Sequence, residues 1–186
     1  MDFQQYRNEI MKTSDQLSSL MSSFWKNYSG FGTWQFWVVI SLLIIPLVLL
    51  YIKIDRSRIF ELFVFGYTVH ILWSYVDIIL ERYNYMIHPY SLTPILPYAL
   101  NITTSVLPVG FILLYQYCTN NNKNFYIYTV ILSGIFSFLF ASIEMYIGLL
   151  EVRKGFNLIC VFGIDVGITV IAYWFTHLCH KLKSNS

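Results

Sequence analysis

The sequence predicts an all-α polytopic membrane protein, a bundle of about five transmembrane helices preceded by an amphipathic interfacial helix. Three observations predict this fold class. Of the 186 residues, 56% are hydrophobic and only 12% are charged, a composition too apolar for a soluble domain of this size. Apolar runs of about 20 residues, the length that crosses a bilayer, recur along the chain. Every Lys and Arg falls in a loop, a tail or the end of an apolar run.

We expect three regions along the chain. Residues 1–33 form an amphipathic interfacial segment, residues 34–180 a transmembrane helical bundle and residues 181–186 a polar tail. The expected spans are residues 34–52, 59–80, 95–117, 125–150 and 156–178. Inserting residues 3–28 as a sixth span would bury several charges, so we exclude that arrangement.

The amino-terminal segment has apolar residues at spacings of three and four between Phe3 and Tyr28. This pattern is typical of an amphipathic helix, with a break expected near Thr13 and Ser14. Such a helix lies in the membrane interface or docks on a partner protein, and the sequence leaves both alternatives open.

The second expected span carries two ionisable side chains that lipid would not tolerate. His70 and Asp77 are seven residues apart, which puts them on one helix face about 10 Å from each other. Trp73 lies on the same face. This face is therefore expected to contact protein or a cavity.

The later spans also carry polar residues. Asn101 lies in a third span that Pro97 and Pro108 interrupt, so its backbone is expected to be irregular. On the fourth span, Ser137 and Glu144 share a face of small residues that extends to Gly148. On the fifth span, Asp165 and Thr169 share a face.

These polar groups are expected to converge on one pocket. At about 1.5 Å per residue, Asp77, Asn101, Glu144 and Asp165 all lie on the same side of His70, which is near the midplane. The pocket residues are predicted to be His70, Asp77, Asn101, Glu144 and Asp165, with Trp73, Ser137 and Thr169 at the wall. We expect the pocket to open toward the side that holds Tyr83 to Tyr90.

Three carboxylates without an internal Lys or Arg cannot all stay ionised in a medium of low dielectric constant. They share protons, bind a cation or contact water. A divalent metal ion or protons are the expected occupants, and the predicted metal ligands are His70, Asp77, Glu144 and Asp165. A purely structural network of protonated acids is the alternative.

Several classes of function are not supported by the sequence. It contains no metalloprotease, serine-hydrolase or phosphate-loop motif, so an enzymatic function would depend on the polar pocket alone. Cys118, Cys160 and Cys179 lack metal-ligand spacing, and no basic cluster indicates nucleic acid. His177 and His180 are three residues apart beside lysines, and we interpret them as interfacial anchors.

Three functions remain open. The protein is a transport or ion-binding component, a membrane enzyme acting on a lipid or isoprenoid, or a non-catalytic interaction or sensor component of a membrane complex. The expected partners are the lipid bilayer and a membrane protein or second copy of the chain.

Among the Lys and Arg near span ends, six against four favour an amino terminus outside and a carboxyl terminus in the cytoplasm, whereas counting the distant Arg7 and Lys12 gives a tie. In size, span count and the placement of His70, Asp77, Glu144 and Asp165, the chain resembles an uncharacterised family of small multipass membrane proteins of endospore-forming Bacillota. The resemblance covers residues from about Trp34 to His180. It implies a bacterial plasma membrane and no particular activity.

Overall fold

The computed structural model describes residues 1–95 and 97–184, with side chains given through Leu182. Within this part of the chain, five helices are long and apolar enough to cross a membrane, which confirms the predicted fold class. They are Trp34–Lys53, Arg56–Arg82, Ile102–Asn120, Phe125–Tyr146 and Leu158–Leu182. Leu96, in the predicted third span, and residues 185–186 of the predicted tail lie outside the described residues.

The amino-terminal helix α1 (Phe3–Phe24) is continuous, without the break expected near Thr13 and Ser14. Asp2 starts it, because its side chain accepts the backbone N–H of Gln5 while the Gln5 side chain accepts the N–H of Asp2. None of the α1 side chains is buried. The apolar face of the helix is therefore uncovered by the bundle.

The first span, α2 (Trp34–Lys53), begins after Thr33, whose side chain accepts the backbone N–H of Phe36. It contains Pro46, which removes one helical hydrogen bond. In the turn before this proline, the hydroxyl of Ser105 donates to the carbonyl of Leu43 at 2.7 Å. The third span is thereby tied to the first.

The second span contains α3 (Ile59–Arg82), and the third contains α4 (Leu107–Asn120), which follows a wide, π-type turn at Ile102–Val106. Pro108 explains the wide turn, because it lacks the N–H that a regular turn would use. The irregular backbone expected here is present. The span begins at Ile102 and not at residue 95, since Pro94 and Pro97 interrupt helical hydrogen bonding before it.

The fourth span joins α5 (Phe125–Gly134), a π-type segment (Ile135–Phe140) and α6 (Ala141–Tyr146). It stops before Gly148, which has a φ of +78° that favours glycine. The N–H of Leu149 then donates to the carbonyl of Glu144 at 2.8 Å. Gly148 thus lies after the end of α6 and does not extend the packing face of the fourth span, contrary to the expectation from the sequence. The fifth span is α7 (Leu158–Ser184).

A short antiparallel ribbon ties two loops together at one end of the bundle. Its strands are β1 (Met86–Ile87) and β2 (Glu151–Val152), with Met86 opposite Val152. The N–H of Arg153 adds a hydrogen bond to the carbonyl of Tyr85 at 2.9 Å. The loop after α3 is consequently held against the loop after α6.

Helix α3 lies between α4 and α7 and forms the centre of the core. Phe65 of α3 stacks on Tyr115 of α4, with ring centroids 4.6 Å apart. Phe125 stacks on Tyr173 of α7 at 4.3 Å. These large, shape-specific contacts fix the axial register of four spans, and hence the depth at which each polar side chain sits.

Gly66 permits the close approach of α3 and α4, since a Cβ there would lie 2.1 Å from Cδ1 of Ile112. We expect Gly66→Ala to lower the free energy of unfolding by about 1–3 kcal/mol, the usual cost of overpacking. Thermal unfolding in detergent measures the loss, and a second change, Ile112→Ala, should recover part of it. Gly134→Ala is the matched control, because nothing lies within 4 Å of its added Cβ. Equal losses for both glycines would contradict this account.

Candidate functional site

The last two turns of α3 carry the acids at the centre of the candidate site. Asp77 and Glu81 are four residues apart, which places both on one face of the helix. Both are buried, with 2% and 7% of their surface exposed. Burial of two carboxylates is costly unless a positive charge, a proton or hydrogen-bond donors accompany them.

His88 supplies that partner from the loop that follows β1. Its backbone N–H donates to Oε1 of Glu81 at 3.1 Å, and its Nδ1 lies 3.3 Å from Oε2 of the same residue. The same Nδ1 is 3.9 Å from Oδ1 of Asp77. We call Asp77, Glu81 and His88 the carboxylate–histidine cluster.

The fold holds His88 in place from two directions. On one side, β1 ends at Ile87 and is paired with β2. On the other, Ser91 is fixed by the segment that follows α1, because Ser91 N–H donates to Oγ of Ser29 at 3.0 Å and the indole of Trp25 donates to the Ser91 carbonyl at 2.8 Å. The loop therefore turns inward, and only 8% of the His88 surface is exposed.

One ligand atom from each member of the carboxylate–histidine cluster lies within 4.8 Å of the other two. Among the described residues this is the only group of three or more potential metal ligands that meets this spacing. In the same part of the chain, Oδ2 of Asp77 is buried and has no hydrogen-bond partner. The three residues offer oxygen and nitrogen ligands close together, and Oδ2 of Asp77 is a further oxygen that could bind a metal ion.

A small cavity of about 40 Å³ lies beside the carboxylate–histidine cluster, and two further acids, Glu144 and Asp165, face it. Asp77, His88, Glu144 and Asp165 all line it. Asp165 accepts a hydrogen bond from the indole N–H of Trp73 at 2.9 Å, while its Oδ2 lacks a partner within the described structure. The cavity has room for an ion accompanied by one or two water molecules.

A wider groove of about 540 Å³ lies on the outer side of the cluster. Glu81 and His88 line it, together with Arg82, Arg153 and the apolar end of α1. His88 borders both the groove and the inner cavity. The carboxylate–histidine cluster thus separates an outer, accessible space from an inner, acidic one.

The electrostatic environment of His88 is set by its acids. Burial by itself lowers the pKa of the imidazole, but the hydrogen bond to Glu81 and the negative charges of the neighbouring carboxylates outweigh burial and raise the pKa from 6.5 to about 9. In the absence of a metal ion, the raised pKa favours the protonated, positively charged form of His88 at neutral pH. His88 thus supplies a positive charge near carboxylates for which the sequence showed no internal Lys or Arg.

The predicted pocket residues divide into two groups. The structure brings Asp77, Glu144 and Asp165 to one cavity, with Trp73 at its wall. His70 does not line this cavity, and its Nδ1 lies 2.9 Å from the carbonyl of Thr103, to which it donates. The remaining predicted residues, Asn101, Ser137 and Thr169, are buried but are not among those that line it.

Two residues of the candidate site, Glu81 and His88, were not among the pocket residues predicted from the sequence. Both fall in the polar stretch after the second span as predicted, residues 59–80, and that stretch resembles an interfacial loop. The spacing of Glu81, four residues after Asp77, was a usable signal because it extends the polar face of α3 by one turn. Nothing local in the sequence indicated that His88 folds inward.

Five apolar helices around a buried group of Asp, Glu and His define a multi-pass membrane protein with a candidate cation site. Comparison of the chain with protein-family models, curated proteins and solved structures gives no match. The resemblance to a Bacillota membrane family stays a prediction.

Proposed function

We propose that the protein is an ion-binding component of the membrane that holds a divalent transition-metal ion between Asp77, Glu81 and His88. The observation that carries this proposal is the mutual approach of three buried ligand atoms within 4.8 Å. Two carboxylates and one imidazole suit Zn²⁺ or Mn²⁺, whereas Mg²⁺ prefers oxygen ligands alone.

The spacing of the cluster supports this assignment. Ligand atoms that surround a tetrahedral Zn²⁺ at about 2.0–2.1 Å are about 3.3 Å from one another. The Nδ1 atom of His88 lies 3.3 Å from Glu81 and 3.9 Å from Asp77. Because all three ligand atoms already lie within 4.8 Å of one another, small side-chain movements would bring them to metal-binding distances.

The surroundings favour a role in ion uptake or transport over a purely structural metal. A structural metal site is usually closed by protein ligands, whereas this cluster borders a wide groove on one side and a small cavity on the other. On the inner side, Glu144 and Asp165 add two carboxylates to which a cation can move. The proposal therefore includes a cation path from the groove, through the cluster, to the inner acids.

The other functions inferred from the sequence stay predictions. The groove beside the cluster has room for a lipid headgroup, so a lipid enzyme is the second candidate, and lipid analysis of knockout membranes would reveal its accumulated substrate. The uncovered apolar face of α1 supports docking on a membrane or a protein. The bacterial plasma membrane and the outward amino terminus are likewise predictions.

Equilibrium dialysis of the purified protein against Zn²⁺, Mn²⁺ and Mg²⁺ tests the proposal. We expect about one Zn²⁺ per chain, weaker Mn²⁺ binding and no saturable Mg²⁺ binding. Asp77→Asn should weaken Zn²⁺ binding at least about tenfold, because an amide does not offset the charge of the metal. Asp55→Asn, in the loop before α3 and far from the cluster, is the control. Equal affinity of both variants would exclude the cluster as the metal site.

A further inference from the structure

The buried face of the fourth span carries a row of hydroxyl side chains. Thr129, Ser133 and Ser137 are four residues apart and therefore share one face, and none of them has exposed surface. On the same span, the side chains of Ile127, Ile131 and Leu139 are more than half exposed and face outward.

These hydroxyl groups are unpaired. Within the described part of the chain, the side-chain oxygens of Thr129, Ser133 and Ser137 have no hydrogen-bond partner. Other hydroxyl side chains in the spans behave differently, since Thr68 and Ser142 donate to the carbonyl four residues earlier. Unpaired buried hydroxyls cost free energy, and buried water molecules typically bind to polar groups that protein does not satisfy.

The fifth span adds polar groups to the same side. Helix α7 packs against α5 and the π-type segment, and its residues Asp165 and Thr169 are one turn apart on one face. Both are buried, and among the described residues Oδ2 of Asp165 and the hydroxyl of Thr169 also lack partners. We call this set the hydroxyl seam, and it comprises Thr129, Ser133, Ser137, Asp165 and Thr169.

A polar cavity lies at one end of the seam, and a second polar cavity lies beyond packed aromatic rings at the other end. At one end, Asp165 lines the small cavity that contains Glu144 and the carboxylate–histidine cluster. At the other, Thr129 lies one turn from Phe125, whose ring contacts Tyr115 with centroids 5.9 Å apart. Tyr115 donates a hydrogen bond to Glu61 and lines a cavity of about 610 Å³ with Arg58 and Lys181.

We propose that the hydroxyl seam holds a file of water molecules that connects the cation site to the cavity at Arg58 and Glu61, and that protons reach Asp165 and Glu144 along it. Each oxygen in such a file accepts one proton and releases another, so one proton moves and nothing is oxidised or reduced. This inference depends on the proposed function only in that the path ends at the proposed cation site. The water file itself requires no metal.

Cysteine accessibility in intact membranes tests the water file. Cys118, Cys160 and Cys179 are first replaced by Ala, and single cysteines are then introduced as Ser137→Cys in the seam and Leu139→Cys on the outer face. The probe is a small cationic methanethiosulfonate, which reacts with the thiolate. Because an apolar environment suppresses thiol ionisation, and each pKa unit removes about nine tenths of the thiolate, we expect Ser137→Cys to react at least about tenfold faster.

Thr169→Cys, on the opposite wall of the seam, is a second reporter if Ser137→Cys fails to accumulate, and Ile131→Cys is its outward-facing control. Equal rates at seam and outer positions, whether slow or fast, would overturn the water file. Zn²⁺ binding by each variant is measured separately in detergent. A protein that labels in the seam but binds no Zn²⁺ would refute the metal proposal and leave the water file in place.

Discussion

Replacing His88 with alanine should weaken Zn²⁺ binding by about a hundredfold or more, whereas replacing His70 with alanine should leave the affinity nearly unchanged. His88 supplies the only nitrogen of the cluster, and loss of a direct ligand exceeds the 10- to 100-fold loss caused by disturbing supporting residues. The imidazole of His70 is held by the carbonyl of Thr103 and does not line the cavity.

Isothermal titration with Zn²⁺ measures both affinities, and thermal unfolding without metal shows whether each variant folds. His70→Ala is a demanding control, because it removes the same side chain from a helix that also carries two of the proposed ligands. If the two alanine variants lose affinity equally, the metal does not bind at His88.

Replacing Glu81 with glutamine should lower the pKa of His88 by at least about one unit in the metal-free protein. In the native protein, burial lowers this pKa while the Glu81 carboxylate is the largest influence that raises it, and the balance is a pKa of about 9. Glutamine retains the shape of the side chain without its charge. The lowering of the His88 pKa by burial is then less strongly opposed. The histidine should then lose its proton at a lower pH than in the native protein.

Histidine NMR titration in the presence of a chelator measures this change. Because folding raises the pKa of His88, its charged form stabilises the folded protein. This stabilisation is complete below pH 6.5 and is lost as the pH rises through about 9. Glu61→Gln, near the other end of α3, is the matched control and should not change the titration of His88. An unchanged His88 pKa in Glu81→Gln would show that Glu81 does not control its charge.

The five spans were predictable because the bilayer imposes a length and a composition that do not depend on tertiary contacts. Their ends were less predictable. Leu149 and Leu150 extend the apolar run of the fourth span, yet both follow the helix end and are buried in the loop that leads to β2. Hydropathy does not distinguish an apolar residue in lipid from one buried under a loop.

The convergence of Asp77, Glu144 and Asp165 also followed from helical geometry, since depth in the membrane can be counted along each span. The histidine could not be assigned in this way. His88 is buried because β1 pairs with β2, a contact between residues about 65 positions apart in the chain, such as Met86 and Val152. The loop has no periodicity from which this pairing could be derived.

X-ray absorption at the zinc edge of the Zn²⁺-loaded protein is the most direct test of the central claim. The account predicts only nitrogen and oxygen ligands at about 2.0–2.2 Å, with the scattering pattern of one imidazole that disappears in His88→Ala. A sulfur ligand at about 2.3 Å, or an imidazole signal that persists without His88, would place the metal elsewhere and contradict the account.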